Sequence, residues 1–276
     1  MEKNRAYLGQ STIDNTQSIE HPDSGGKTLT EVFSFKFELI QESEEELVID
    51  IIGIEAPLAN ALRRIMISEV PTMAIEDVDL YQNTSVLPDE VLAHRLGLVP
   101  IRANPDLFKY KGPEDQPAAD SSLLFKLSAK CVRLPDGKIQ GASVYSSNLI
   151  WNPLPGQEKM QVEVVHKDIL LAKLGPGQEI EADLWCEKGI GATHTKWSPV
   201  CTASYRLLPE IELPRKLTAE ESKLLKKKCP VNVFDIEDGK LFVKNLRNCT
   251  SCRECLRDEG LGVRVSKVKD HFICKL

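Results

Sequence analysis

Residues 32–71 read VFSFKFELIQESEEELVIDIIGIEAPLANALRRIMISEVP, and the architecture is set there. Phe33, Phe35, Phe37 and Leu39 alternate, an acidic turn ESEEE follows, and LVIDIIGI returns, so the period of two predicts a β-hairpin. Pro57 near the first position and Pro71 as the stop then bracket a helix. On it Leu58, Ala61, Leu62, Ile65 and Met66 recur at helical spacing as one apolar stripe. Arg63 and Arg64 lie off that stripe with Ile67 beside them, so the opposite side is only partly polar and could meet a second surface. Periodicity alone favours an ordinary core-packing helix over a pairing surface.

Downstream, VPTMAIEDVDLYQNTS reads as strand and turn, and DEVLAHRLG as a second helix closed by Gly97. His94 in that helix has no second histidine at metal spacing and reads as a hydrogen-bonded structural residue. Residues 103–122 are a proline-rich loop. LLFKLSAKCVRL, the turn PDG and KIQGASVYSS predict a second antiparallel hairpin, and QVEVV, QEIEADLWCEKG and VCTASYRLLP continue in β style. With no parallel βαβ pattern, the class is α+β with mostly antiparallel sheet. The turns GPGQ and GIGAT lack the strand, helix and partner lysine of a phosphate loop. Nothing resembles an assembled active site, so an enzyme is not expected.

The cysteines carry the next signal. Cys249, Cys252 and Cys255 form C-x2-C-x2-C, and Cys229 stands upstream with Pro230 behind it. That is half of a bacterial ferredoxin pattern, in which the cysteine before proline ligates with the other motif's triplet. The four thiols suit one iron-sulfur cluster, of which 4Fe-4S is the expected type though the count does not set it, with zinc as the alternative. After three intervening residues beyond Cys255 the position of a second cluster's ligand is Glu259, followed by Gly260, rather than Cys-Pro, so a second cluster is not supported. Cys131, Cys186, Cys201 and Cys274 are scattered singly and read as reduced core cysteines. A basic helix, TAEESKLLKKK, leads into the block, with Thr218 and Glu221 fitting a capping box, and VRVSKVKDHFI returns as a strand.

Charge is unevenly spread. Residues 215–276 carry +6 and residues 1–214 carry −12, a poor footprint for direct DNA contact. The first 28 residues are polar and aperiodic, a flexible arm. The start has no apolar leader core and no apolar run approaches the roughly 18 residues of a membrane span, so an intracellular protein is expected.

The stretches ANALRRIMISEVPTMAIEDV, VLAHRLGLVPI and THTKWSPVCTASYRLLP resemble the alpha-like subunits of multisubunit DNA-directed RNA polymerases. The likeness is to the larger alpha-like subunits shared by nuclear RNA polymerases I and III, with more distant kin in archaeal and bacterial alpha subunits. It runs from about residue 29 to Ile273. The resemblance implies a dimerisation domain over 29–71 and 262–276, an insert domain over 72–213, and a small ferredoxin-like cysteine lobe over 214–261. It implies that the stripe Leu58, Ala61, Leu62, Ile65 and Met66 pairs with the smaller alpha-like subunit, giving a heterodimer on which the largest and second-largest catalytic subunits assemble. It also implies a nuclear location, nucleolus included, and a structural role for a cluster on Cys229, Cys249, Cys252 and Cys255. Family members continue past the last strand into a long amphipathic helix, whereas this sequence stops at Leu276, so weak pairing or none is expected. An electron carrier or redox sensor of ferredoxin type is the alternative, which leaves about 200 residues without a purpose.

Overall fold

The computed structural model describes residues 5–17, 35–112, 114–257 and 259–276. Val32, Phe33 and residues 18–28 of the arm lie outside the described residues. The chain begins with β1 (Arg5–Leu8), β2 (Ile13–Asp14), β3 (Lys36–Glu42), β4 (Leu47–Ile52) and α1 (Ala56–Ser68). There follow β5 (Pro71–Asn83), α2 (Asp89–Gly97), β6 (Ile101–Arg102), β7 (Ser122–Lys130), β8 (Val132–Arg133), β9 (Ile139–Gln140) and β10 (Ser143–Tyr145). Next come β11 (Leu149–Trp151), β12 (Glu163–Val164), β13 (Leu170–Lys173) and β14 (Glu179–Ile190). The last are β15 (Ser204–Glu212), α3 (Ala219–Lys228), β16 (Phe234–Glu237), β17 (Lys240–Val243) and β18 (Arg264–Lys275). All the pairings among described residues are antiparallel. No helix among them is long and apolar enough to cross a membrane.

Two compact units result, one holding the described residues up to Arg63 together with Thr202–Leu276, the other Arg64–Cys201. In the first, β18 is the axis of a six-stranded sheet. One edge of β18 takes β15; the other takes β1 against Val265–Val268 and β4 against His271–Lys275. The expected hairpin is β3–β4, with Phe35, Phe37 and Leu39 exposed. The N-terminal arm departs from expectation, because Ala6 and Leu8 are buried where β1 zips onto β18. Alternation over only four residues was too short to stand out as a strand.

The unit boundaries also differ from those expected at 71/72 and 213/214. Residues 204–212 belong with the sheet because β15 zips to β18 along both of its halves. Residues 214–261 are no separate body either. Leu225, Val233, Phe234, Leu256 and Leu261 bury with Leu8 and Val265 of the sheet in one apolar cluster, so the cysteine block has a core without any ligand.

The second unit is built on β11-β7-β14-β5. Ile180, Ala182, Leu184 and Cys186 alternate into its core from β14, meeting Leu123, Phe125 and Leu127 of β7. Helix α2 covers this layer with Leu92 and Leu96, both fully buried. The second predicted hairpin is reduced to β8–β9, two residue pairs long, because β7 takes β14 and β11 as its neighbours. Gly141 turns the chain away: its φ is +79°, and a Cβ there would sit 2.2 Å from the carbonyl oxygen of Lys130. The GIGAT glycines serve packing rather than phosphate, since a Cβ on Gly189 would meet the Trp197 ring at 2.3 Å.

Candidate functional site

Helix α1 is the first candidate surface. Of its residues only Ala59 is buried, against Ile51, Ile54 and Phe272. The predicted stripe stays open: Leu58 is 46%, Leu62 38% and Ile65 41% exposed, Ala61 is exposed and Met66 half-buried. The apolar stripe is thus left in solvent, unlike the inward face of a core-packing helix.

The second candidate is the cysteine block. Cys229 caps the C-terminus of α3, where its sulfur accepts the Val233 N–H at 3.3 Å. Ser251 and Arg253, lying between the cysteines of the triplet, both take left-handed backbone, φ 58° and 64°. Such a conformation is uphill for non-glycine residues and coils the C-x2-C-x2-C run tightly. The result is that Cys229, Cys249, Cys252 and Cys255 all line one small cavity of about 20 Å³, room for about one water-sized body. Burial pushes the Cys249 thiol up, with Cys252 and Cys229 adding to it and Arg206 opposing. Burial likewise pushes Cys255 up to about 11, helped by Cys249 and Cys252.

Convergence of four thiols on one space fits a thiolate ligand set. Yet no group of three or more His, Cys, Asp or Glu among the described residues is arranged to hold a metal ion. The other cysteines divide differently from expectation: Cys131, Cys186 and Cys274 are buried, but Cys201 is exposed. It stands beyond the last strand of its unit and has no sheet to enter.

Polar anchors hold the cysteine loop to the sheet. Asp50 of β4 is buried and receives both Arg247 nitrogens, at 2.8 and 2.6 Å, and faces Nε2 of His271 at 2.9 Å. Burial would raise the Asp50 carboxyl, but Arg247 and His271 outweigh it and hold it below its ordinary value. Arg206 of β15 donates to the carbonyl oxygens of Arg247 and, at 3.1 Å, of Cys249. Gln10 of the arm donates to the Leu256 carbonyl and accepts from Arg253. None of these anchors was singled out in the sequence. The usable signal was Asp50 inside LVIDII, since an acid within an apolar strand requires a partner.

His94 reads differently in three dimensions. Its ring centroid stands 6.4 Å from that of His194, which meets Trp197 edge-on at the same distance. A hundred residues of separation hid this pair from any spacing rule.

The family model for the RNA polymerase Rpb3/RpoA insert domain matches residues 75–201, which is the second unit almost whole. The DNA-directed RNA polymerases I and III subunit rpac1 of Dictyostelium discoideum is 48% identical over 87% of this chain and 72% of its own length. The Saccharomyces cerevisiae subunit RPAC1 of the same polymerases is 39% identical over 95% of this chain and 86% of its own. The DNA-directed RNA polymerase subunit Rpo3 of Methanosphaera stadtmanae is 35% identical over 80% and 78%. The chain belongs to the alpha-like subunit family of DNA-directed RNA polymerases.

Proposed function

We propose that the chain is a non-catalytic scaffold subunit of DNA-directed RNA polymerases I and III. The stripe Leu58, Ala61, Leu62, Ile65 and Met66 pairs with the smaller alpha-like subunit, and the heterodimer receives the largest and second-largest catalytic subunits. It works in the nucleus, nucleolus included, for transcription of ribosomal and small RNAs. The observation that carries this is the exposed stripe of α1, in a chain whose relatives are named as subunits of those polymerases. The electron-carrier alternative finds no support in those names.

Co-expression with the smaller alpha-like subunit tests the pairing. Leu62→Glu with Ile65→Glu is expected to lower whatever recovery the tagged chain gives, while the chain stays folded by circular dichroism. Equal recovery by the double variant would remove the stripe from the interface.

Cys229, Cys249, Cys252 and Cys255 are proposed as the ligands of one 4Fe-4S cluster in a ferredoxin-like lobe, where it would cross-link the loop to α3. The spacing supports this. Zinc is kept as a second reading because the cavity is small, closer to a single tetrahedral ion. Anaerobic purification with iron, sulfide and zinc analysis decides: a colourless protein with stoichiometric zinc ends the cluster reading, and four rapidly alkylated thiols with neither metal end both.

A further inference from the structure

A cleft of about 680 Å³ opens beside the cysteine loop, lined by the cations Arg206, Arg247 and Lys267 and by no carboxylate. Its size falls in the roughly 300–1,000 Å³ range of ligand sites. Arg247 is neutralised from behind by Asp50. Arg206 gives its N–H groups to backbone carbonyls, which carry no charge, and the half-buried Lys267 has no hydrogen-bond or ion-pair partner among the described residues. Two uncompensated positive charges therefore face one concave surface. Around them the side chains of Asn248, Thr250 and Ser251 offer polar hydrogens that no neighbour among the described residues uses. Leu207 and Val231 supply an apolar wall.

We propose that this cleft seats an acidic peptide segment of another polypeptide, its carboxylates on Lys267 and Arg206 and an apolar side chain against Leu207 and Val231. A nucleic-acid backbone fits less well, since it would leave the apolar wall of Leu207 and Val231 uncovered. The inference stands without the polymerase reading and without a metal on the cysteines.

Fluorescence anisotropy on the full chain tests it, with a labelled Glu-Leu decapeptide as probe and its Gln-Leu isostere, inorganic phosphate and a ten-nucleotide oligothymidylate as competitors. The acidic peptide is expected to bind with an affinity that falls with salt. Lys267→Ala should weaken it about tenfold, one charge-assisted bond, and Lys267→Arg should restore it. Asn248→Asp, at an exposed position on the rim, should weaken it as well, which keeps the test decisive should Lys267→Ala unfold. Equal binding of the Gln-Leu isostere, unchanged affinity in both Lys267→Ala and Asn248→Asp, or tighter competition by phosphate or oligothymidylate than by unlabelled acidic peptide would overturn the proposal.

Discussion

The two units of this chain treat the same kind of side chain in opposite ways. In the Arg64–Cys201 unit, leucines at strand and helix periods close into one continuous core of twenty buried residues. In the other unit the core is split into two smaller clusters, and its part of α1 leaves Leu58 and Leu62 in solvent. Apolar patterning in a sequence thus specifies that a face will be covered, not by which polypeptide. The Arg64–Cys201 unit covers its own; the other leaves part of its apolar face in solvent and fastens its cysteine loop with ions and amides instead.

The sharpest way to break that contrast is to make one substitution in both places. Leu184→Ala, in the closed core, should cost about 3–5 kcal/mol of stability through lost burial and the cavity left behind, read by urea unfolding. A cost under about 1 kcal/mol would mean that this core is loosely packed. Asp50→Asn comes next at about 2–4 kcal/mol, because it strands Arg247 in a partly buried site. Because the Asp50 pKa is depressed on folding, its contribution is fully present above the ordinary carboxylate value and is lost as pH falls through the lower folded value. Urea midpoints measured from neutral pH downward should therefore fall in the parent and flatten in Asp50→Asn. Thr218→Ala removes the cap of α3 for about 1 kcal/mol. Its capping partner Glu221 is held at about 2 by Arg215 and by the Thr218 backbone, so the helix loses that support only between the ordinary Glu value and about pH 2, seen as a late step in far-ultraviolet circular dichroism. Leu62→Ala, the counterpart of Leu184→Ala on the exposed stripe, should change stability of the isolated chain by no more than about 0.5 kcal/mol. A loss of several kcal/mol there would place the stripe in a core after all.

Local signals were legible and long-range ones were not. Pro57 and Pro71, DEVLAHRLG, and the Thr218–Glu221 capping box each located a helix to within two residues, because start and stop chemistry is carried by neighbours in sequence. Partner choice in the sheets was missed where it depends on distant segments: β7 reads as half of a hairpin, yet its neighbour β14 lies about fifty residues on. The same limit applies to the site. The spacing of Cys229, Cys249, Cys252 and Cys255 foreshadowed their convergence on one cavity, whereas Arg247 meets Asp50 and His94 meets His194 across separations that no local pattern encodes.

The position of β18 in the sheet has one more consequence, for the timing of synthesis. Residues 264–275 are the shared neighbour of β1, β4 and β15, so the sheet of the first unit cannot close until they have left the ribosome. The Arg64–Cys201 unit, continuous in sequence, has all its strands long before that. Nascent chains therefore pass through a stage in which the insert is folded while the edges of β1 and β4 and the apolar side of α1 wait together. During that interval the exposed surface is a target for chaperones, and arrival of β18 sets the earliest moment at which this sheet can close.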